Sequence, residues 1–91
     1  MTLVARRELG AQVAFLASAS PDAARRLAVD VRRAFELLGA GNVEGPEAQL
    51  RDGRYVRRWI VPPLLLFYER DGRDVLVRRV RHGAQRPITR G

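Results

Sequence analysis

Ninety-one residues, 46% of them hydrophobic and none of them cysteine, suit one small folded domain spanning 1–91 and leave no disulfide or thiolate metal centre. No stretch approaches the ~20 apolar residues of a membrane span, and MTLVARRELG sets its arginines after its apolar residues, the reverse of a secretory signal, so a soluble cytoplasmic protein is expected. The formal charge is +7, and all 17 basic residues are arginine; the excess suits phosphate backbones or an acidic protein segment, and the missing lysine excludes a lysine base, Schiff base or P-loop cation.

Leu3 to Ala5 reads as a short first strand. From Arg7 to Ser18 the pattern is helical, with Leu9, Val13 and Leu16 at i, i+4 and i+7 and Ala5 and Ala17 on the same face. Ser20-Pro21-Asp22 starts a second helix: Ser20 caps free amides, Pro21 suits the first helical position and needs no amide partner, and Asp22 faces the positive end of the dipole. Leu27, Val31, Ala34, Phe35 and Leu38 make its apolar stripe, which closes at Gly39-Ala40-Gly41. On the surface, Asp22/Arg26 and Arg32/Glu36 are spaced for i, i+4 pairing.

Asn42 to Asp52 carries glycine, proline and acids and reads as a connecting loop. Three strands follow. Tyr55 to Val61 is rich in β-branched and aromatic residues, and Pro62-Pro63 interrupts the ladder. Leu64 to Glu69 is nearly all apolar, as in a central strand. Arg70-Asp71-Gly72-Arg73 signals a hairpin, and Val75 to Val80 returns. The fold class is α+β: a short N-terminal strand, then an α-helical hairpin packed on an antiparallel sheet with a C-terminal three-stranded meander, β-α-α-β-β-β.

The chemistry is narrow. There is no glycine-rich phosphate loop, no paired His/Cys ligand set and no nucleophile–base–acid trio, so neither a metal site nor a cofactor is expected. What stands out is arginine on and around the strands: Arg57, Arg58, Arg78, Arg79, Arg81 and Arg86, interleaved with Tyr55, Trp59 and His82. That mixture suits single-stranded nucleic acid, where guanidinium groups hold phosphates and rings stack bases, and it equally suits a protein–protein hot spot. The plain alternative is a solvated sheet edge, with an all-arginine inventory reflecting genome composition. Tyr68, between apolar residues, is expected in the core; Trp59 suits core or contact. His82, before Gly83 and a chain reversal, is first a packing or hydrogen-bonding residue.

The run RRWIVPPLLLFYERDGRDVLVRRVRHGAQRP resembles the C-terminal half of ParE-type toxins of the RelE/ParE superfamily, from type II toxin–antitoxin systems. An arginine-bearing strand, an apolar strand ending in tyrosine, an acidic–glycine turn and a His-Gly-Ala followed by a basic residue occur in the family's order. AFLASASPDAARRL is similar to the family's join between two helices. The resemblance implies a plasmid-stabilising, growth-arresting toxin neutralised by a cognate antitoxin with an acidic, initially flexible segment. It implies either of two targets. ParE-like members inhibit DNA gyrase by protein contact, and RelE-like members cleave mRNA in the ribosome. Lysine is absent, the family arginine three residues before the tyrosine is replaced by Leu65, and no late tyrosine follows Tyr68, all of which favour gyrase. On the gyrase reading Arg57, Arg58, Trp59, Arg78, Arg79, Arg81, His82 and Arg86 form the target-binding set, with no catalytic residue. On the alternative, an endoribonuclease, Arg58, Arg79, Arg81 and His82 are the catalytic set. A third alternative is an inactive relative that only binds its antitoxin.

Overall fold

The computed structural model describes residues 1–41, 43–72 and 74–83. Two helices, α1 (Leu3–Ala19) and α2 (Pro21–Gly39), precede four strands, β1 (Glu47–Gln49), β2 (Tyr55–Val61), β3 (Leu64–Asp71) and β4 (Asp74–His82). The strands form one antiparallel sheet in the order β1-β2-β3-β4. The α+β class, the helical hairpin and the meander are as the sequence suggests.

The beginning is different. Leu3–Ala5 is the first turn of α1 and not a strand. The reason is Thr2, whose hydroxyl accepts the Ala5 amide at 3.1 Å and so caps a helix beginning at Leu3. Thr2 also donates its own amide to Val77 O at 2.9 Å and its hydroxyl to Arg78 O at 3.0 Å, which holds the chain start against β4 without pairing as a strand.

The loop expected over 42–52 is also corrected, because it contains β1. Those three residues pair with Tyr55–Arg57, bracketed by Arg58 N to Pro46 O at 2.9 Å and Leu50 N to Arg54 O at 2.8 Å. Glu-Ala-Gln has no strand preference of its own, so the partner strand supplies the order. On α2 the cap is as expected, with Ser20 Oγ accepting the Ala23 amide at 3.2 Å. Asp22 pairs with Arg25, at i+3.

Both helices lie on one side of the sheet, and the core fills the space between. From α2 come Leu27, Val31, Ala34 and Leu38, from β2 and β3 Val61, Leu64, Leu66 and Tyr68, and from β4 Val77 and Val80. Val77 and Val80 are three apart, which would put them on opposite faces of a regular strand. A bulge corrects this: Phe67 pairs with Arg79 while Tyr68 pairs with Val77, so Arg78 is the extra residue and both valines reach the core. The β3–β4 hairpin turns at Gly72, whose φ of +62° is a conformation that other residues adopt at a cost.

Candidate functional site

Strand pairing sorts the arginine-rich stretch into two faces, since cross-strand partners share a side. Arg57 pairs with Tyr68, Trp59 with Leu66, and His82 with Leu64, all on the side covered by helices. Arg58 pairs with Phe67, which pairs with Arg79; Ile60 pairs with Leu65, which pairs with Arg81. These two rows lie on the open side. The sequence-predicted cluster is therefore divided by the two-residue period of the strands. Trp59 packs half-buried against the core, Tyr55 is exposed near the β1 end, and neither ring stands among the open-face arginines. Arg78 occupies the bulge. Arg86 lies outside the described residues.

Three carboxylates organise most of the remaining charge, each between two arginines. Glu8 of α1 receives Arg79 through Nε at 3.0 Å and Nη2 at 2.6 Å, accepts the Val80 amide at 2.8 Å, and has Arg81 Nε at 3.8 Å. Glu69 sits between Arg54 at 2.9 Å and Arg78 at 3.1 Å. Glu44 sits between Arg70 at 3.0 Å and Arg57 at 3.5 Å, and takes the Tyr68 hydroxyl at 3.1 Å. Burial works against ionisation of Glu8, but the bonds from Arg79 and Val80 and the charges of Arg79 and Arg81 outweigh it and hold its pKa below the ordinary value. Glu44 is lowered first by its bond to Arg70, and Glu69 first by its bond to Arg54.

Tyr68 is fully buried at 0% exposure, and its ring is part of the core between the helices and the sheet. Its hydroxyl accepts the Gly45 amide at 2.8 Å while donating to Glu44. Burial is the main reason that its pKa is raised. Gly45 packs so tightly that an added Cβ would lie 1.9 Å from Arg58 O, so only glycine fits where the linker crosses β2. This is a structural clasp. It presents no side chain for reaction.

The open face has a different character. Among the described residues Arg58 has no acidic partner, and its Nε is buried with no hydrogen-bond acceptor. The Arg78 Nε is also buried and, although close to Glu69, is not aligned to donate. Beyond these rows, the capping Thr2, Val4 of α1, the β1–β2 turn at Leu50–Arg54, and Arg78 and Arg79 border a cleft of about 460 Å³. Toward α2, Ile60 is 58% exposed and Leu37 is 45% exposed, both beside Trp59 and Pro62 in a shallow groove. Among the described residues no group of histidine, cysteine and carboxylates could hold a metal ion, and no helix is long and apolar enough to cross a membrane.

Sequence reasoning missed Glu8, Glu44 and Glu69 as organisers. Glu8 and Arg79 are 71 residues apart, and nothing local marks either as the other's partner. The uneven Val77–Val80 spacing was a readable sign of the bulge. Compared with known proteins, residues 1–87 match the family model of the ParE toxin of the type II toxin-antitoxin system, parDE. No curated protein and no solved structure matches the chain.

Proposed function

This chain belongs to the ParE toxin family of type II toxin–antitoxin systems, and on that premise we propose that it is neutralised by a cognate antitoxin and arrests growth by binding DNA gyrase. The observation that carries the choice of target is the division of the arginine cluster between two faces. An RNA-cleaving site needs a group to take a proton and a group to give one, close to the cations that hold the phosphate. His82 pairs with Leu64 on the covered side, away from the row containing Arg58 and Arg79. Tyr68 is buried and engaged with Gly45 and Glu44, and there is no lysine. Arg79 is held in a two-pronged pair with Glu8.

What remains on the open face, among the described residues, is arginine charge and apolar surface, and the carboxylate beside Arg79 and Arg81, Glu8, is committed to Arg79 and the Val80 amide. That composition favours a macromolecular contact over bond cleavage. Expression without antitoxin tests it. Chromosome damage, together with loss of supercoiling by purified gyrase in the presence of the protein, is the expected result. Codon-specific cuts in a translating extract with intact gyrase activity would identify an endoribonuclease. Absence of growth arrest would identify a relative that only binds its antitoxin. Arg58→Glu and Arg81→Glu are expected to reduce toxicity, and Arg25→Glu, on the surface of α2, to leave it intact.

A further inference from the structure

We propose that the cleft between the β1–β2 turn and β4 binds a compact polyphosphate, a di- or triphosphate chain either free or carried by a nucleotide, through Arg51, Arg54, Arg78 and Arg79.

The cleft encloses about 460 Å³, within the roughly 300–1,000 Å³ of small-ligand pockets. Among the described residues, four of the eight that line it are arginine and one, Asp52, is an acid. The bulge in β4 brings two of the arginines there. In a regular strand Arg78 and Arg79 would point to opposite faces. With Arg78 as the extra residue, both line the same cleft. The Thr2 hydroxyl, bonded to Arg78 O at 3.0 Å, fixes that backbone.

The other two stand on a turn that is equally well set. Leu50 N donates to Arg54 O at 2.8 Å, Gly53 N to Leu50 O at 2.9 Å, and Arg54 N to Asp52 Oδ1 at 2.9 Å. Glu69 ties the two sides together, taking Arg54 at 2.9 Å and Arg78 at 3.1 Å. The arginines are thus placed before any ligand arrives, which lowers the ordering cost of binding.

Their donors are not used up. Among the described residues Arg51, on the exposed turn, has no acidic partner. Arg54 meets Glu69 through Nη1, and Arg79 meets Glu8 through Nε and Nη2, which leaves Arg54 Nη2 and Arg79 Nη1. Arg78 approaches Glu69 through Nε, which leaves both its terminal nitrogens.

Phosphate is the anion that these groups suit. A guanidinium fork matches two phosphate oxygens, and linked phosphates concentrate charge in the space that four arginines share. A nucleic-acid strand spreads its charge along a line and stacks its bases on rings. No aromatic ring is among the described residues that line this cleft.

Calorimetric titration of the full chain, without added metal, tests the site with tripolyphosphate, ATP, monophosphate, citrate and oligouridylate. Tripolyphosphate is expected to bind one to one, about tenfold or more tighter than monophosphate or citrate. Arg51→Gln should weaken it by about threefold to tenfold, while Arg25→Gln on α2 stays within about twofold. Asp52→Asn keeps the Oδ1 acceptor of the turn but removes the lining negative charge, so it should tighten binding by about twofold to fivefold. A residue that only shaped the turn would not do so. Melting of each free variant confirms its fold. ATP affinity at or above that of tripolyphosphate assigns a nucleotide ligand, and lower affinity assigns free polyphosphate.

No saturable binding, equal affinity for citrate, or weaker binding by Asp52→Asn would overturn the proposal. Equal losses in Arg51→Gln and Arg25→Gln would also overturn it, by showing that the diffuse +7 charge does the binding. Displacement of tripolyphosphate by oligouridylate at equal phosphate concentration would assign the cleft to a nucleic-acid backbone instead.

Discussion

The two faces of the sheet are built from the same strands and do opposite things. On the covered face Leu64, Leu66, Tyr68, Val77 and Val80 are at most 1% exposed, and no charged residue is buried among them. On the open face Leu65 and Phe67 alternate with those residues and stay half-buried, with Arg58, Arg79 and Arg81 in their rows and Ile60 exposed. A single β3 strand, apolar at Leu64 through Tyr68, thus supplies core on one side and incomplete surface on the other. The difference teaches where stability resides and where it has been left out. The covered face is a finished interior. The open face is apolar and positively charged, and its apolar side chains are only partly covered.

The largest test of that contrast swaps equal side chains across it. Leu66→Ala should cost about 2–5 kcal/mol because it opens a cavity in packed core. Leu65→Ala, its immediate neighbour on the open side, should cost clearly less, about 1 kcal/mol, because solvent or repacking fills the space. Urea unfolding of both variants measures the gap, and equal losses would mean that the two faces are not energetically distinct.

Next comes the link between them. Glu8 crosses from α1 to the outer edge of β4, where it takes Arg79 and the Val80 amide. Glu8→Ala should cost about 1–3 kcal/mol, since charge-assisted bonds are lost and an edge amide is released. Proteolysis and hydrogen exchange should show β4 opening first. Tyr68→Phe, which keeps the ring in the core but strands the Gly45 amide, should cost about 1–2 kcal/mol by the same urea measurement.

Acid should act on the charged rim before it reaches the core. Glu8, Glu44 and Glu69 have folded-state pKa values below the unbound value of 4.5. A lowered carboxylate contributes its full stabilisation above the unfolded pKa and loses it as pH falls through the folded one. Melting temperature should therefore be governed by these groups only below about pH 5 and fall progressively from there. Glu8→Gln should flatten part of that slope. An unchanged slope in Glu8→Gln would assign the acid sensitivity to other groups.

Much of this fold was legible, and the reasons differ by element. The α2 cap at Ser20 and its apolar stripe from Leu27 to Leu38 are local signals, and they placed the helix correctly. The hairpin at Asp71-Gly72 was equally local. The first helical turn was misread because Leu3-Val4-Ala5 is apolar without periodicity, and the deciding contacts run from Thr2 to Val77 and Arg78 at the far end of the chain. β1 was hidden for the same reason, since its order comes from Tyr55–Arg57. For the candidate site, alternation alone would have separated Arg58 from Arg57 and Trp59, whereas the bulge at Arg78 and the ties to Glu8 needed the tertiary structure.

The smallest expected effect is also the one that most sharpens the contrast. Ile60 is 58% exposed and lies on the open face beside Leu65. Replacing it with serine removes apolar surface that is mostly in water already, so stability should change by no more than about 0.5 kcal/mol. The same replacement removes exposed apolar surface from the face proposed to contact gyrase, so the concentration of protein needed to inhibit supercoiling should rise by about threefold to tenfold. Calorimetric melting and the supercoiling assay read these two quantities independently. A surface that serves only folding would lose both together or neither; a surface kept incomplete for a partner loses binding alone.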